Sequence, residues 1–304
     1  MKRGSYGQSG VRVRESLGSR IFTIVNGLFL LLLALMCVLP LINILAVSLS
    51  SNAAATAGLV KLWPVEFTLK SYEYVAKRAA FWRSLGVTLL RCLLGVSLNV
   101  FMCILTAYPL SKDNRKLRAR TVYTWFFFIT MLVNGGLIPQ YMTIKSVGIL
   151  GTIWALVLPG AVPVFSMVLM LNFFRAIPEE LEEAAFMDGA SHWSILAKIY
   201  VPLSKASIAT ICLFALVYHW NSWFDGIIMM NKPDQYPLQS YLHTIIIQGD
   251  TSVNSTTDWQ TMALISDRTV KCAQIFLSTL PIVAAYPFLQ RYFVKGMVMG
   301  SVKG

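Results

Sequence analysis

The sequence predicts an all-α membrane protein that crosses the bilayer six times. Three observations predict it. Hydrophobic side chains make up 56% of the 304 residues against 13% charged, the mean hydropathy is positive, and long apolar runs recur six times. Soluble domains carry about a quarter charged residues, whereas an apolar helix of about 20 residues spans the roughly 30 Å hydrocarbon layer. Helices rather than barrel strands follow from the uninterrupted runs, because a lipid-facing strand would alternate polar with apolar residues.

The crossings are expected near 21–49, 84–110, 121–142, 149–173, 206–230 and 269–290. The first follows a basic head (1–20, with Lys2, Arg3, Arg12, Arg14 and Arg20) but is too long for a signal peptide and shows no small-residue cleavage pattern, so it reads as a retained anchor, part of which could tilt or continue outside the bilayer. The second carries Arg91, roughly 10 Å deep at 1.5 Å per residue; it is expected to snorkel to the interface, the alternative being the bundle interior. "NGGLIPQ" (134–140) interrupts the third run and "PGAVP" (159–163) the fourth. Broken helices at membrane depth need protein or a water-filled cavity to receive the freed backbone groups, so these breaks mark either a pathway or packing kinks. The fifth holds His219 and Asp225, the imidazole and acid of the spans, read as a hydrogen-bonded histidine and an interfacial carboxylate rather than a proton relay.

Orientation follows from Lys112, Arg115, Lys116, Arg118 and Arg120 after the second run, which together with the basic head place both termini in the cytoplasm. The loop 50–83, then external, carries Lys61, Lys70, Lys77, Arg78 and Arg83 and argues the other way, but its length weakens its vote. The expected organisation is a basic N-terminus (1–20), the first helix (21–49), an external loop (50–83), a five-helix core (84–290) with an internal loop (178–203) and an external one (231–268), and an internal tail (291–304).

A net charge of +12 raises nucleic acid as a partner, but the basic residues mainly flank the crossings. The five cysteines show no CxxC spacing and read as small core residues. No metal site is expected, because His192, His219 and His243 are scattered over a loop, a span and an opposite loop. No zinc-protease, nucleophile-elbow or phosphate-loop motif occurs, so neither bond chemistry nor ATP binding by that device is expected of this chain. With its spans nearly free of acids, any transport it performs must draw its energy from elsewhere.

The stretch "PEELEEAAFMDGASHWSILAKIYVP" (178–202) is the acidic exception. Pro178 suits a helix start, and Glu179, Glu180, Glu182 and Glu183 stand near the positive end of its dipole. Asp188-Gly189 ends that helix, Ser191 caps a second running to about Tyr200, and Pro202 breaks it before the fifth span. Ala184 and Ala185 make the first helix narrow enough to press into a groove on another protein; a solvated charged loop is the plainer alternative.

Glu183-Ala184-Ala185, three residues, Gly189, nine residues, Ile199 and Pro202 resembles the EAA loop of the membrane subunits of bacterial ABC importers, with Val201 where leucine is usual. "NGGLIPQY", "WNSWFD", "YPLQ" and the ending "YPFLQRYFVKGMVMGSVKG" extend the likeness to carbohydrate-uptake permeases over nearly the whole chain. The resemblance implies a type I importer fold in the bacterial cytoplasmic membrane, a homologous second permease, two ATPase subunits that bind ATP and Mg, and an extracellular solute-binding protein. It implies no cofactor on this chain. Glu183, Ala184, Ala185, Asp188, Gly189, Ile199 and Pro202 would form the ATPase-coupling segment, and Lys295, Gly296, Gly300 and Lys303 a C-terminal ATPase contact. A sugar would meet aromatic and amide side chains, for which Trp220, Asn221, Trp223, Asn134 and Tyr141 are candidates; the alternative for the tryptophans is an interfacial belt. Alternative cargoes are a peptide or polyamine, and the alternative classes are an ion-coupled carrier or a membrane-embedded enzyme.

Overall fold

The computed structural model describes residues 17–113, 117–248 and 267–301, all helix, turn or irregular backbone with no strand among them. Helix α1 (Leu17–Ser48) leads into a short α2 (Asn52–Thr56) and an amphipathic α3 (Lys70–Lys77). The longest central rod, α4 (Ala79–Ser111), is followed by α5 (Arg120–Leu132), α6 (Leu137–Ser146), α7 (Trp154–Val157) and α8 (Val164–Arg175). The acidic stretch forms α9 (Glu179–Met187) and α10 (His192–Ile195), then a π-turn over Leu196–Tyr200 and α11 (Val201–Leu203). Helices α12 (Lys205–Asn221), α13 (Phe224–Met229), α14 (Leu238–Gln248) and α15 (Asp267–Ser301) complete the chain.

By length and composition α1 and α4 can each cross a membrane alone, and three bent pairs raise the number among the described residues to as many as five. Helix α15, at 35 residues, stands where the sixth crossing is expected. The third expected run is not one rod: α5 stops after 13 residues and the chain turns by 116° into α6. Gly136 makes that turn at φ +86°, a region open to glycine and strained for other residues. The fourth run bends by 48° at Pro159–Pro163 through a 3-10 turn, as its two prolines require. The fifth divides into α12 and α13 at Ser222 and Trp223, a break that no proline or glycine announces.

Burial explains how α4 earns its central place. Its buried face repeats every three or four residues: Ser84, Thr88, Arg91, Gly95, Asn99, Cys103 and Ala107. This is one stripe of a helix, made of small and polar groups that let neighbouring rods come close. Helices α8 and α12 pack on it. A cluster of Tyr108, Met170, Phe174, Ile195, Tyr200 and their neighbours fills one end, and Val75, Phe81, Trp220 and Leu238 fill the other. In contrast, every side chain of α1 from Leu17 to Ile42 is exposed, including Cys37, which is therefore not the core residue expected of it.

Candidate functional site

Two regions at opposite ends of α4 concentrate the polar groups. Arg91 and Lys112, which mark them, are 21 residues apart, roughly 30 Å along a helix.

At the first, the broken helices leave a cavity of about 560 Å³, lined among others by Gln140, Gly160, Tyr218, Asn221, Trp223 and Asp225. Arg91 does not snorkel. It is fully buried and grips Asp225 with both terminal nitrogens, Nη1 to Oδ1 at 3.1 Å and Nη2 to Oδ2. The planar guanidinium matches the carboxylate in a two-bond fork, and the Asp225 side chain keeps 29% of its surface open. One helical turn away, His219 donates through Nε2 to Asn99 Oδ1 at 3.0 Å, while the Asn99 amide donates to the carbonyls of Gly160 and Ala161 at 2.6 and 3.1 Å. Asn99 thus satisfies carbonyls freed at the kink of the fourth run, the compensation a broken helix needs away from water. Gly95 is what lets His219 lie against α4: a Cβ there would stand 2.3 Å from Nε2.

The candidate substrate residues separate in this geometry. Asn221 and Trp223 line the cavity, and the Trp223 ring stacks on His243 of α14 with centroids 3.8 Å apart. Trp220 does not: it is buried among the Val75, Phe81 and Leu238 cluster. Asn134 is exposed at the α5–α6 turn, its side chain accepting from Gly136 N at 2.9 Å. Tyr141 packs against the Ile144, Ala155 and Met229 cluster. The divergence has one cause, the break at Ser222, which turns α13 away from the α12 register.

The second region is the acidic loop. Helix α9 starts after Pro178 and closes with Gly189 at φ +77°. Ala190 N donates to Ala185 O and Gly189 N to Phe186 O, both at 2.9 Å, the double closure of a glycine-terminated helix. Ser191 caps α10 through Oγ, which accepts from Ser194 N at 3.3 Å. Pro202 does not break the following helix; it sits in α11, and the irregularity falls just before it, in the π-turn. Glu183, Ala184, Asp188, Gly189 and Pro202 are exposed, whereas Ala185 and Ile199 turn toward the core. Beside them Met187 is 88% and Trp193 70% exposed, an apolar margin on a charged knuckle. Beneath, Glu182 is buried against Lys112 and Tyr200, a set that reading the sequence missed. Its signal was there in the doubled glutamate: neighbours on a helix point about 100° apart, so one of them had to face inward.

The proposed C-terminal contacts fall on less defined ground: Lys295, Gly296 and Gly300 continue the α15 backbone rather than a separate tail, and Lys303 lies outside the described residues.

A family model described as binding-protein-dependent transport system inner membrane component matches residues 7–299. Protein LplC of Bacillus subtilis (strain 168) is 39% identical over 286 residues, covering 94% of this chain and 96% of that one. The polygalacturonan/rhamnogalacturonan transport system permease protein YtcP of the same organism is 36% identical over 286 residues, with 94% and 99% covered. Among solved structures, a chain of a bacterial ABC transporter involved in the import of the acidic polysaccharide alginate superposes with a TM-score of 0.85 at 34% identity, over 92% of this chain and 99% of that one.

Proposed function

The chain belongs to the family of binding-protein-dependent transport system inner membrane components, and from that premise we propose that it passes a sugar or oligosaccharide through the cytoplasmic membrane, driven by ATP hydrolysed elsewhere. It is a transport subunit and not an enzyme; hydrolysis belongs to a separate ATPase partner. The carrying observation is the arrangement along α4, with an open polar-aromatic cavity at one end and an exposed knuckle at the other.

In this reading the knuckle faces the cytoplasm with Lys112 and its basic neighbours, and both termini lie on that side. Two ATPase subunits carry ATP and Mg, and the knuckle docks in one of them through Glu183, Met187 and Trp193. A second, homologous permease covers α1, whose apolar side chains find no cover in this chain. A solute-binding protein delivers cargo on the side of α14. Movement of the ATPases shifts the knuckle, and the cavity alternates between the two faces because the contacts differ in the two states. The carbohydrate class is supported by the relatives' names and by the cavity, where Trp223 offers a flat face for a sugar ring and Asn221 an amide for its hydroxyls.

The test is uptake by the complete importer in proteoliposomes, using labelled neutral and uronate oligosaccharides beside a peptide and a polyamine. Saccharide accumulation that needs both ATP and the binding protein is expected; accumulation of the peptide or polyamine alone would reassign the cargo.

Two substitutions probe the two ends. Glu183→Ala is expected to leave insertion intact while separating hydrolysis from uptake, since losing one partner of a desolvated interfacial pair costs about 2 to 5 kcal/mol. Unchanged uptake at normal abundance would remove the docking role. Trp223→Ala is expected to lower saccharide uptake about tenfold, the worth of roughly 1.4 kcal/mol, without changing the amount of complex in the membrane.

A further inference from the structure

Three separate elements close on one point under the knuckle. Lys112 caps the end of α4, Glu182 stands mid-way along α9, and Tyr200 ends the π-turn. Lys112 Nζ donates to Glu182 Oε2 at 2.6 Å and to Tyr200 Oη at 2.9 Å, and Tyr200 donates in turn to the same carboxylate oxygen at 2.7 Å. The ammonium lies 4.1 Å from the ring centroids of both Tyr108 and Tyr200. The Lys112 and Glu182 side chains are only 8% and 3% exposed. Tyr108, Phe174 and Tyr200 meet edge to face around them. This is a dry polar box, in which a charge that loses its partner has no water to fall back on.

Its position is what gives it a role. Glu182 is buried, while Glu183, the next residue, is exposed on the face offered to the ATPase. A nine-residue helix is marginal by itself, so force applied at Glu183 is transmitted only as far as α9 is tied to something rigid. Apolar contacts at Ala185 and Ala190 are non-directional. The charged, hydrogen-bonded triangle fixes direction as well as distance. It also ties α9 to the rod that carries Gly95 and Arg91 to the cavity.

We propose that Lys112, Glu182 and Tyr200 form a positioning triad that fastens the knuckle to α4, so that displacement at Glu183 reaches the cavity as movement of one rigid rod. The proposal rests on the reading of the knuckle as the ATPase contact. Burial and the neighbouring carboxylate push the Tyr200 phenol up from its ordinary range, so its hydroxyl stays a donor at physiological pH.

The experiment counts ATP hydrolysed per saccharide imported, normalised to assembled importer, with the labelled oligosaccharide that the wild-type complex accumulates. Loss of packing alone would reduce the amount of assembled complex but leave this ratio unchanged. Glu182→Gln and Lys112→Met are expected to raise the ratio about fivefold or more, the lower end of ordinary coupling energies. Tyr200→Phe keeps the ring and its packing and removes only the hydroxyl; it is expected to raise the ratio about twofold and decides the matter where the charge variants do not assemble. A wild-type ratio in assembled Tyr200→Phe and Glu182→Gln complexes would overturn the triad. Glu183→Ala, measured alongside, separates the two ideas: if it too leaves the ratio unchanged, the knuckle is not the ATPase contact, whereas if it alone raises the ratio, only the triad fails.

Discussion

Replacing Arg91 with methionine is expected to drop the amount of folded chain in the membrane severalfold, as read by quantitative blotting and by the melting temperature of the purified complex. The guanidinium is fully buried and holds Asp225 by two parallel bonds. Taking away one side of such a pair costs about 3 to 5 kcal/mol, because the remaining charge stays where water reaches it poorly. That is a large share of the roughly 5 to 15 kcal/mol by which a domain is stable. The same physics predicts a rescue. Arg91→Met combined with Asp225→Leu leaves no orphaned charge, so abundance should return, since apolar replacement of both partners is often neutral. Uptake should not return with it, because Asp225 is part of the cavity wall. Equal abundance of the single variant and the wild type would mean that the pair does not hold α4 to α13.

Gly95→Val is expected to abolish uptake almost completely while leaving the chain inserted. The first added carbon would meet His219 Nε2 at 2.3 Å and two ring carbons at 2.5 Å, closer than non-bonded atoms come. The ring must move, and its movement breaks the chain of bonds from His219 through Asn99 to the carbonyls of Gly160 and Ala161. Overpacking of this kind costs about 1 to 3 kcal/mol, to which the freed carbonyls at the kink add their own penalty. Gly95→Ala should show a smaller loss of the same kind. Adding His219→Ala to either variant makes room for the new side chain and should recover part of the uptake; failure of that suppression, with the protein at normal abundance, would count against the steric account.

Much of this molecule was legible before any coordinates. The apolar runs gave the helices, Gly189 and Ser191 gave the ends of α9 and the start of α10, and the two prolines gave the kink in the fourth run. What escaped shares a physical reason. Arg91 and Asp225 lie 134 residues apart, and each had a local explanation, snorkelling for one and an interfacial site for the other, so nothing in the neighbourhood of either demanded a partner. The stripe from Ser84 to Ala107 was the overlooked clue, since a lipid-facing helix has no use for serine, threonine, glycine and asparagine every three or four residues. Trp220 and Trp223 were grouped because three residues along one continuous helix nearly share a face; the break at Ser222 put one in the core and the other at the cavity. The turn after α5 was visible as "NGG", but its 116° angle depends on packing that spacing does not encode.

The π-turn at Leu196–Tyr200 gives the signature spacing a meaning of its own. A bulge of this kind threads one surplus residue into a helix without ending it. The nine-residue interval between Gly189 and Ile199 is therefore not an arbitrary tally but includes that supernumerary residue. An ancestor lacking it would have presented a different side of the chain at Tyr200, so the motif's gap length is a fossil of the insertion that swung a phenol inward.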